Sequence, residues 1–225
     1  QLPKLEGPPP GTSMWAFDAL LPYRSEDAIS LGEGGTPIVN CPKVASSYDV
    51  GELWIKDEGQ NPTGSFKDRG SAVGVAAAAR RERVVGTVSH GNMAMSIAAH
   101  AASADIPCVV LVPADISETR LRLIGQYDPL IVRVDGDYGE LYERSLELGP
   151  ELGISFVNSD SPLRVAGQAT TTLEILEDFS PAVPDALVMP VSSGGHASAA
   201  WKALRDLDAA GVLSTISSAS SPPHR

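Results

Sequence analysis

From residue 84 onward the chain alternates short apolar runs with longer amphipathic stretches, and this alternation restricts the fold more than any other feature. The runs fall at residues 84–89, 108–112, 130–134, 154–157 and 186–191; helical patterns occupy 92–104, 118–126, 138–148, 165–178 and 197–209. Short apolar runs joined by helices imply crossover units, so the runs read as parallel strands buried on both faces. A chain of 225 residues suffices for one large domain or two smaller ones sharing a cleft. The first 35 residues, rich in Gly and Pro, read as an irregular arm. Residues 214–225 read as a Ser/Pro-rich tail without helix or strand signal.

Charge narrows the function. The net charge is −11, with 28 acidic residues against five lysines, and the basic residues form no patch. Nucleic acid is therefore not an expected partner, and any anion site must be local. No apolar stretch is long enough to span a membrane and the start lacks a signal-peptide pattern, so a cytoplasmic protein without a membrane partner is expected. Cys41 and Cys108 lie far apart, with no CxxC and no nearby His pair, which points away from zinc and redox chemistry. Cys108, in an apolar run, is expected in a buried strand.

The densest segment is 56–70, KDEGQNPTGSFKDRG. Asn61-Pro62-Thr63-Gly64 is a turn signal. Ser65 then reads as the N-cap of a helix, with Asp68 three residues on in a near-capping box. The small apolar residues that follow suit a buried helix. Lys67 would project from its first turn, where the helix dipole and apolar burial both disfavour the ammonium form. A lysine that attacks an aldehyde needs its neutral amine, so the position suits a Schiff base. Read alone, Lys67 fits an ordinary first-turn lysine on a solvated face better; Phe66 beside it and the preference of first turns for acids argue the other way.

Two further loops each follow a strand pattern and open a helix. Ser89-His90-Gly91-Asn92 offers helix-start amides to a carboxylate, and Asn92 could instead simply cap its helix. Ser192-Ser193-Gly194-Gly195-His196 offers glycine-rich amides to a phosphate, and could equally be a plain turn. It is neither a Walker loop nor a dinucleotide GxGxxG. In open α/β sheets ligands bind beyond the carboxyl ends of the strands, where these loops fall. An amine, a carboxylate nest and a phosphate nest together match pyridoxal 5′-phosphate (PLP) plus an amino acid.

At this point the residues resemble a known family. Segment 56–70 closely resembles the KDEGxNPTGSFKDRG signature of threonine synthases, within the type II fold of PLP enzymes. Gly32-Glu33-Gly34-Gly35-Thr36-Pro37 is similar to the family's EGxTPL segment, and Gly167-Gln168 with Glu174-Ile175 to its GQ…EI stretch. The resemblance implies an α/β fold of two open, mostly parallel sheets flanked by helices, like the tryptophan synthase β subunit, here C-terminally incomplete. It implies an arm with part of a large domain over 1–59, a smaller domain over 60–155, and the rest of the large domain over 156–225. Lys67 would bind PLP covalently and shuttle protons, with Phe66 beside it in the cofactor site. Asn92 would hydrogen-bond the cofactor's 3′-oxygen, and Ser192, Ser193, Gly194, Gly195 and His196 would hold its phosphate. Ser89, His90, Gly91, Asn92 and Met93 would take the substrate carboxylate.

The implied reaction converts O-phosphohomoserine and water to threonine and phosphate, in a homodimer. Three departures stand out. His90 and Met93 replace hydroxyl residues of the family's loop, Ser192 to His196 reads SSGGH where the family tends to GNxGN, and the family continues beyond the end of this chain. The alternatives are a Ser/Thr ammonia-lyase or another β-replacement enzyme of the same fold, or a truncated, non-catalytic PLP-binding paralogue.

Overall fold

The structure, a computed structural model, describes residues 13–81, 83–180 and 182–213. After the amino-terminal arm comes an antiparallel ribbon of β1 (Ile38–Asn40) and β2 (Trp54–Lys56), joined through the short helix α1 (Pro42–Ser47). The Asn61 carbonyl accepts from the Gly64 amide at 2.8 Å, closing the expected turn, with Gly64 at φ 80°. Helix α2 (Lys67–Ala79) follows. Then come β3 (Val84–Val88), α3 (Asn92–Ser103), β4 (Cys108–Pro113), α4 (Glu118–Gly125), β5 (Leu130–Val134), α5 (Tyr138–Leu152), β6 (Ile154–Phe156), α6 (Pro162–Phe179) and α7 (Gly195–Ala209).

Strands β3 to β6 form one all-parallel sheet in the order β5-β4-β3-β6. Four of the five apolar runs thus become strands within a residue or two of the expected bounds. The physical basis is burial on both faces: Val85, Val88, Val110 and Val112 are fully enclosed, and Cys108 is buried as expected. The main core lies between this sheet and helices α2 and α3, built from Val75, Ala94, Ile97, Val110, Ile124 and Val157 among others. β6 pairs with β3 through Phe156 and so straddles residue 155.

The fifth run behaves differently. Residues 186–191 carry no strand pairing, and Val188 is 95% exposed. A strand persists only where a neighbour takes its ladder bonds, and among the described residues none lies alongside. Among the described residues the second sheet is represented by the β1–β2 pair alone, and that pair is antiparallel. The amino-terminal arm departs the other way: a 3₁₀ helix over Met14–Leu20 buries Met14 and Trp15 against Ala72 and Val73, and Phe17 against Leu173 and Ala203. The Trp15 indole donates to Glu33 Oε1 at 2.8 Å, and Glu33 Oε2 lies 3.4 Å from His100 Nε2 in full burial. Residues 1–12 and 214–225, including the expected tail, lie outside the described residues.

Helix α2 is buried around its whole circumference from Asp68 to Ala78. Glycines let its neighbours approach. A Cβ on Gly74 would meet Val157 Cγ1 at 2.3 Å, and one on Gly167 of α6 would meet the Arg69 carbonyl oxygen at 2.1 Å. Backbone cannot yield as a flexible side chain can. Gly167→Ala is therefore expected to destabilise the fold by about 1–3 kcal/mol or more, read as a lower denaturant midpoint.

Candidate active site

Lys67 is the first residue of α2 and is partly buried. The cap differs from the expected one. Phe66 occupies the N-cap position without a side-chain cap bond, and Ser65 Oγ accepts from the Lys67 amide at 3.4 Å. Asp68 turns back instead to Thr63, accepting from its amide at 2.7 Å and its hydroxyl at 2.6 Å. The reason is burial: Asp68 is fully enclosed, and Thr63 supplies the donors a hidden carboxylate requires. Burial first, then the nearby Arg164 charge, pushes the Lys67 amine down to about 8. Its Nζ stands 4.5 Å from the Phe66 ring centroid.

The glycine-rich loop comes up to Phe66, beside this amine. Gly194, at φ 84°, is the N-cap of α7, and His196 in the first turn stacks on Phe66 with ring centroids 4.3 Å apart and planes 12° from parallel. Gly194 takes up a left-handed turn that L side chains rarely adopt. A Cβ on Gly195 would lie 3.0 Å from the Ser159 carbonyl oxygen and 3.5 Å from Gln168 Oε1. Ser192 and Ser193 are exposed. The first amides of α7 have no acceptor within their own helix and point outward at its positive end, which suits a phosphate.

The third loop arrives from β3. Gly91 is the N-cap of α3 and Asn92 its first, exposed residue, so Asn92 does not serve as the cap. Ser89 Oγ accepts from the Gly91 amide at 3.3 Å. Met93 points into the core: it is 4% exposed, and its sulfur accepts from the Ser159 hydroxyl at 3.4 Å. His90 is half-buried, with Nδ1 enclosed. The loop after β6 lies alongside, because Asn158 Oδ1 accepts from the Val88 amide at 3.0 Å and Asn158 Nδ2 donates to Ser145 Oγ at 2.9 Å. Hence Lys67, His196 with its glycines, and the Ser89–Asn92 loop converge beyond the carboxyl ends of β3 and β6.

Arg164 is the residue the sequence did not announce. It is fully buried on α6, where its Cβ and carbonyl would lie 3.1 Å from a Cβ on Gly70. Nη1 donates to Ser71 Oγ at 3.0 Å, while Nε and Nη2 are buried without a partner among the described residues. Burial holds its pKa down to about 10, against the pull of Asp68. A spacing signal could not have found it, because only the close α2–α6 crossing at Gly70 sets it beside Lys67.

Arg69 is its opposite, saturated by carboxylates. It donates to Glu58 Oε2 at 2.7 Å, Glu174 Oε2 at 2.8 Å, Thr170 Oγ1 at 3.0 Å and Thr36 Oγ1 at 3.2 Å. Lys56 Nζ adds an ion pair to Glu174 at 3.0 Å. Burial alone would raise the Glu58 and Glu174 carboxyls; hydrogen bonds and charge from Arg69 outweigh it and hold both below the usual range. Much of segment 56–70, together with Thr36 and Glu174, thus forms one buried ionic knot behind Lys67.

The donor set fits PLP. His196 Nδ1 and Nε2, Gln168 Oε1 and two Arg164 nitrogens are buried and unpartnered among the described residues, and such groups call for a ligand. Gln168 Oε1 lies 3.5 Å from where a Cβ on Gly195 would stand, His196 stacks on Phe66 next to Lys67, and the Arg164 charge helps lower the Lys67 pKa. If the amides at the start of α7 hold the phosphate, Gly194→Asp would set a carboxylate against it and is expected to weaken PLP uptake about tenfold or more, read by titrating the cofactor.

A family profile described as pyridoxal-phosphate dependent enzyme matches residues 29–224. The chain belongs to that family, and its α/β architecture is that of the type II fold. The cofactor expected from Lys67 is accordingly the family's own. Among relatives, the chain is 35% identical to a threonine synthase of Methanocaldococcus jannaschii over 206 residues, covering 90% of this chain and 51% of that protein. Among solved structures it resembles a PLP-dependent aspartate racemase (TM-score 0.69, 27% identity, 77% of this chain, 54% of the other). A threonine deaminase from T.th. aligns with TM-score 0.67 and 27% identity, over 77% of this chain and 56% of the other. The chain spans about half the length of the curated relatives it matches. Among the described residues no helix is long and apolar enough to cross a membrane.

Proposed function

We propose that the chain carries the PLP-binding half-site of a lyase that converts O-phosphohomoserine and water to threonine and phosphate. The observation that carries this reading is the pair Lys67 and Arg164: a partly buried amine of lowered pKa beside a buried guanidinium with a free edge. The glycine start of α7 suits the cofactor's phosphate, which leaves Arg164 for a second anion. A phosphorylated amino acid supplies one. The resemblance to threonine synthases supports the same substrate.

When bound, PLP supplies an electron sink for charge developing on the amino acid. The residues do the rest. Lys67 Nζ would hold the cofactor's aldehyde carbon and, once released from it, its amine of lowered pKa would take and return a proton at the substrate. The helix-start amides of Gly195 and His196 grip phosphate. Asn92 would meet the cofactor's 3′-oxygen, and the 89–91 loop would take the substrate carboxylate at the start of α3. Arg164 binds and orients the phosphate that leaves.

A second reading, a Ser/Thr ammonia-lyase, draws on the likeness to threonine deaminase and on His90 at a position where the threonine synthase loop has a hydroxyl. Assaying the protein with O-phosphohomoserine, threonine and serine separates the two. Release of inorganic phosphate and threonine supports the first reading; 2-oxo acid from threonine or serine, with no phosphate released, overturns it.

A further inference from the structure

Ser71 lies one helical turn beyond Lys67, and three buried helices meet at its hydroxyl. It donates to the Lys67 carbonyl at 3.0 Å, accepts from Ser96 Oγ of α3 at 2.7 Å, and accepts from Arg164 Nη1 of α6 at 3.0 Å. Ser71, Ser96 and Arg164 are all fully enclosed. A hydroxyl has one proton and two lone pairs, so every bonding position of Ser71 is filled and its orientation is settled. The Lys67 carbonyl consumes the proton, which obliges Ser96 to donate rather than accept.

The consequence falls on Arg164. Its guanidinium is tethered at Nη1 alone, leaving the Nε–Nη2 edge without a partner among the described residues. Two adjacent N–H groups on one planar edge match the paired oxygens of a phosphate or carboxylate. Without the tether, a long side chain would have other ways to turn. We propose that Ser71 and Ser96 are positioning residues: the Ser96–Ser71 hydroxyl pair clamps Nη1 so that the Nε–Nη2 edge of Arg164 is presented to the anionic group of the ligand held at Lys67. The inference rests on the proposed function, since that edge needs an anion to receive. It adds a role for two serines, neither of which touches the ligand.

The test uses the protein with PLP fixed to Lys67 by borohydride, so that the glycine loop is already filled, and inorganic phosphate as the probe. Calorimetric titration should give measurable phosphate binding, absent in Arg164→Met. Ser71→Ala should weaken it about tenfold, the effect of losing a hydrogen bond to a charged group, and Ser96→Ala by a smaller factor. Ser71→Thr, which restores the hydroxyl, should recover most of the affinity. Both alanine variants should still capture PLP as the parent does, which separates positioning from collapse of the fold. If Ser71→Ala fails to fold, Ser96→Ala decides alone, and phosphate affinity equal to the parent's there overturns the proposal. Unchanged affinity in Ser71→Ala with normal PLP capture also overturns the positioning role and leaves the functional reading standing. Failure of the parent chain to capture PLP at all sinks both.

Discussion

Lys67→Ala is expected to retain the fold and lose covalent PLP capture to background, with any turnover falling about a thousandfold or more, as befits a group that serves as both nucleophile and proton carrier. Absorbance near about 415 nm, where lysine-bound PLP absorbs, and the borohydride-fixed peptide report the first effect. Turnover surviving in the variant would remove Lys67 from the chemistry. The pH dependence is equally specific. With the folded amine at about 8 and an ordinary value of 10.5, capture should rise through about pH 8 and then level, rather than climb toward 10.5. The stability consequence follows from proton counting. Between about 8 and 10.5 the unfolded chain binds more protons at this lysine than the folded one, so its contribution to stability rises with pH across that window, and its penalty is full below about 8. Arg164→Met should move the capture midpoint upward, because the guanidinium charge helps hold the amine's pKa down.

Arg69→Met should be the most damaging single change outside the reacting groups. It leaves Glu58 and Glu174 as buried carboxylates without their guanidinium, a loss of about 3–5 kcal/mol against a typical total of about 5–15 kcal/mol. Urea unfolding would show it as a large drop in midpoint. The sign of the repair is also set: adding Glu58→Gln and Glu174→Gln to Arg69→Met should recover part of the loss, since the uncompensated charges go with them. Equal stability of the single and triple variants would mean that the knot matters through packing rather than charge.

Local pattern carried a good deal. The parallel strands were legible because full burial leaves uninterrupted apolar runs, and helix limits followed from turn residues such as Gly211, which follows the C-cap of α7 at φ 71°. The helix that Lys67 opens was legible because a turn signal precedes a run of small apolar residues, and the Gly194-Gly195 turn because Gly194 takes glycine's left-handed backbone. Other assignments failed where distant parts of the chain compete for one group. Asp68 satisfies Thr63 rather than a capping box. Met93 fills the core, although its loop reads as a ligand nest. Residues 186–191 have the composition of a strand, yet strand structure belongs to a pair of segments and not to one. The arm read as irregular buries Trp15 and Phe17 because helices far along the chain offer them a surface.

Which amine could do the chemistry, and which backbone turn could hold a phosphate, are matters of residue type and neighbouring residues, and these are written in the order of the chain. Arg164 beside Lys67, the Ser71 hydroxyl that orients it, and the gathering of Thr36, Glu58, Arg69 and Glu174 into one knot arise only when α2 and α6 cross at Gly70 and Gly167. A charge's worth depends on what lies within a few ångströms after burial, and that distance is unrelated to separation along the sequence.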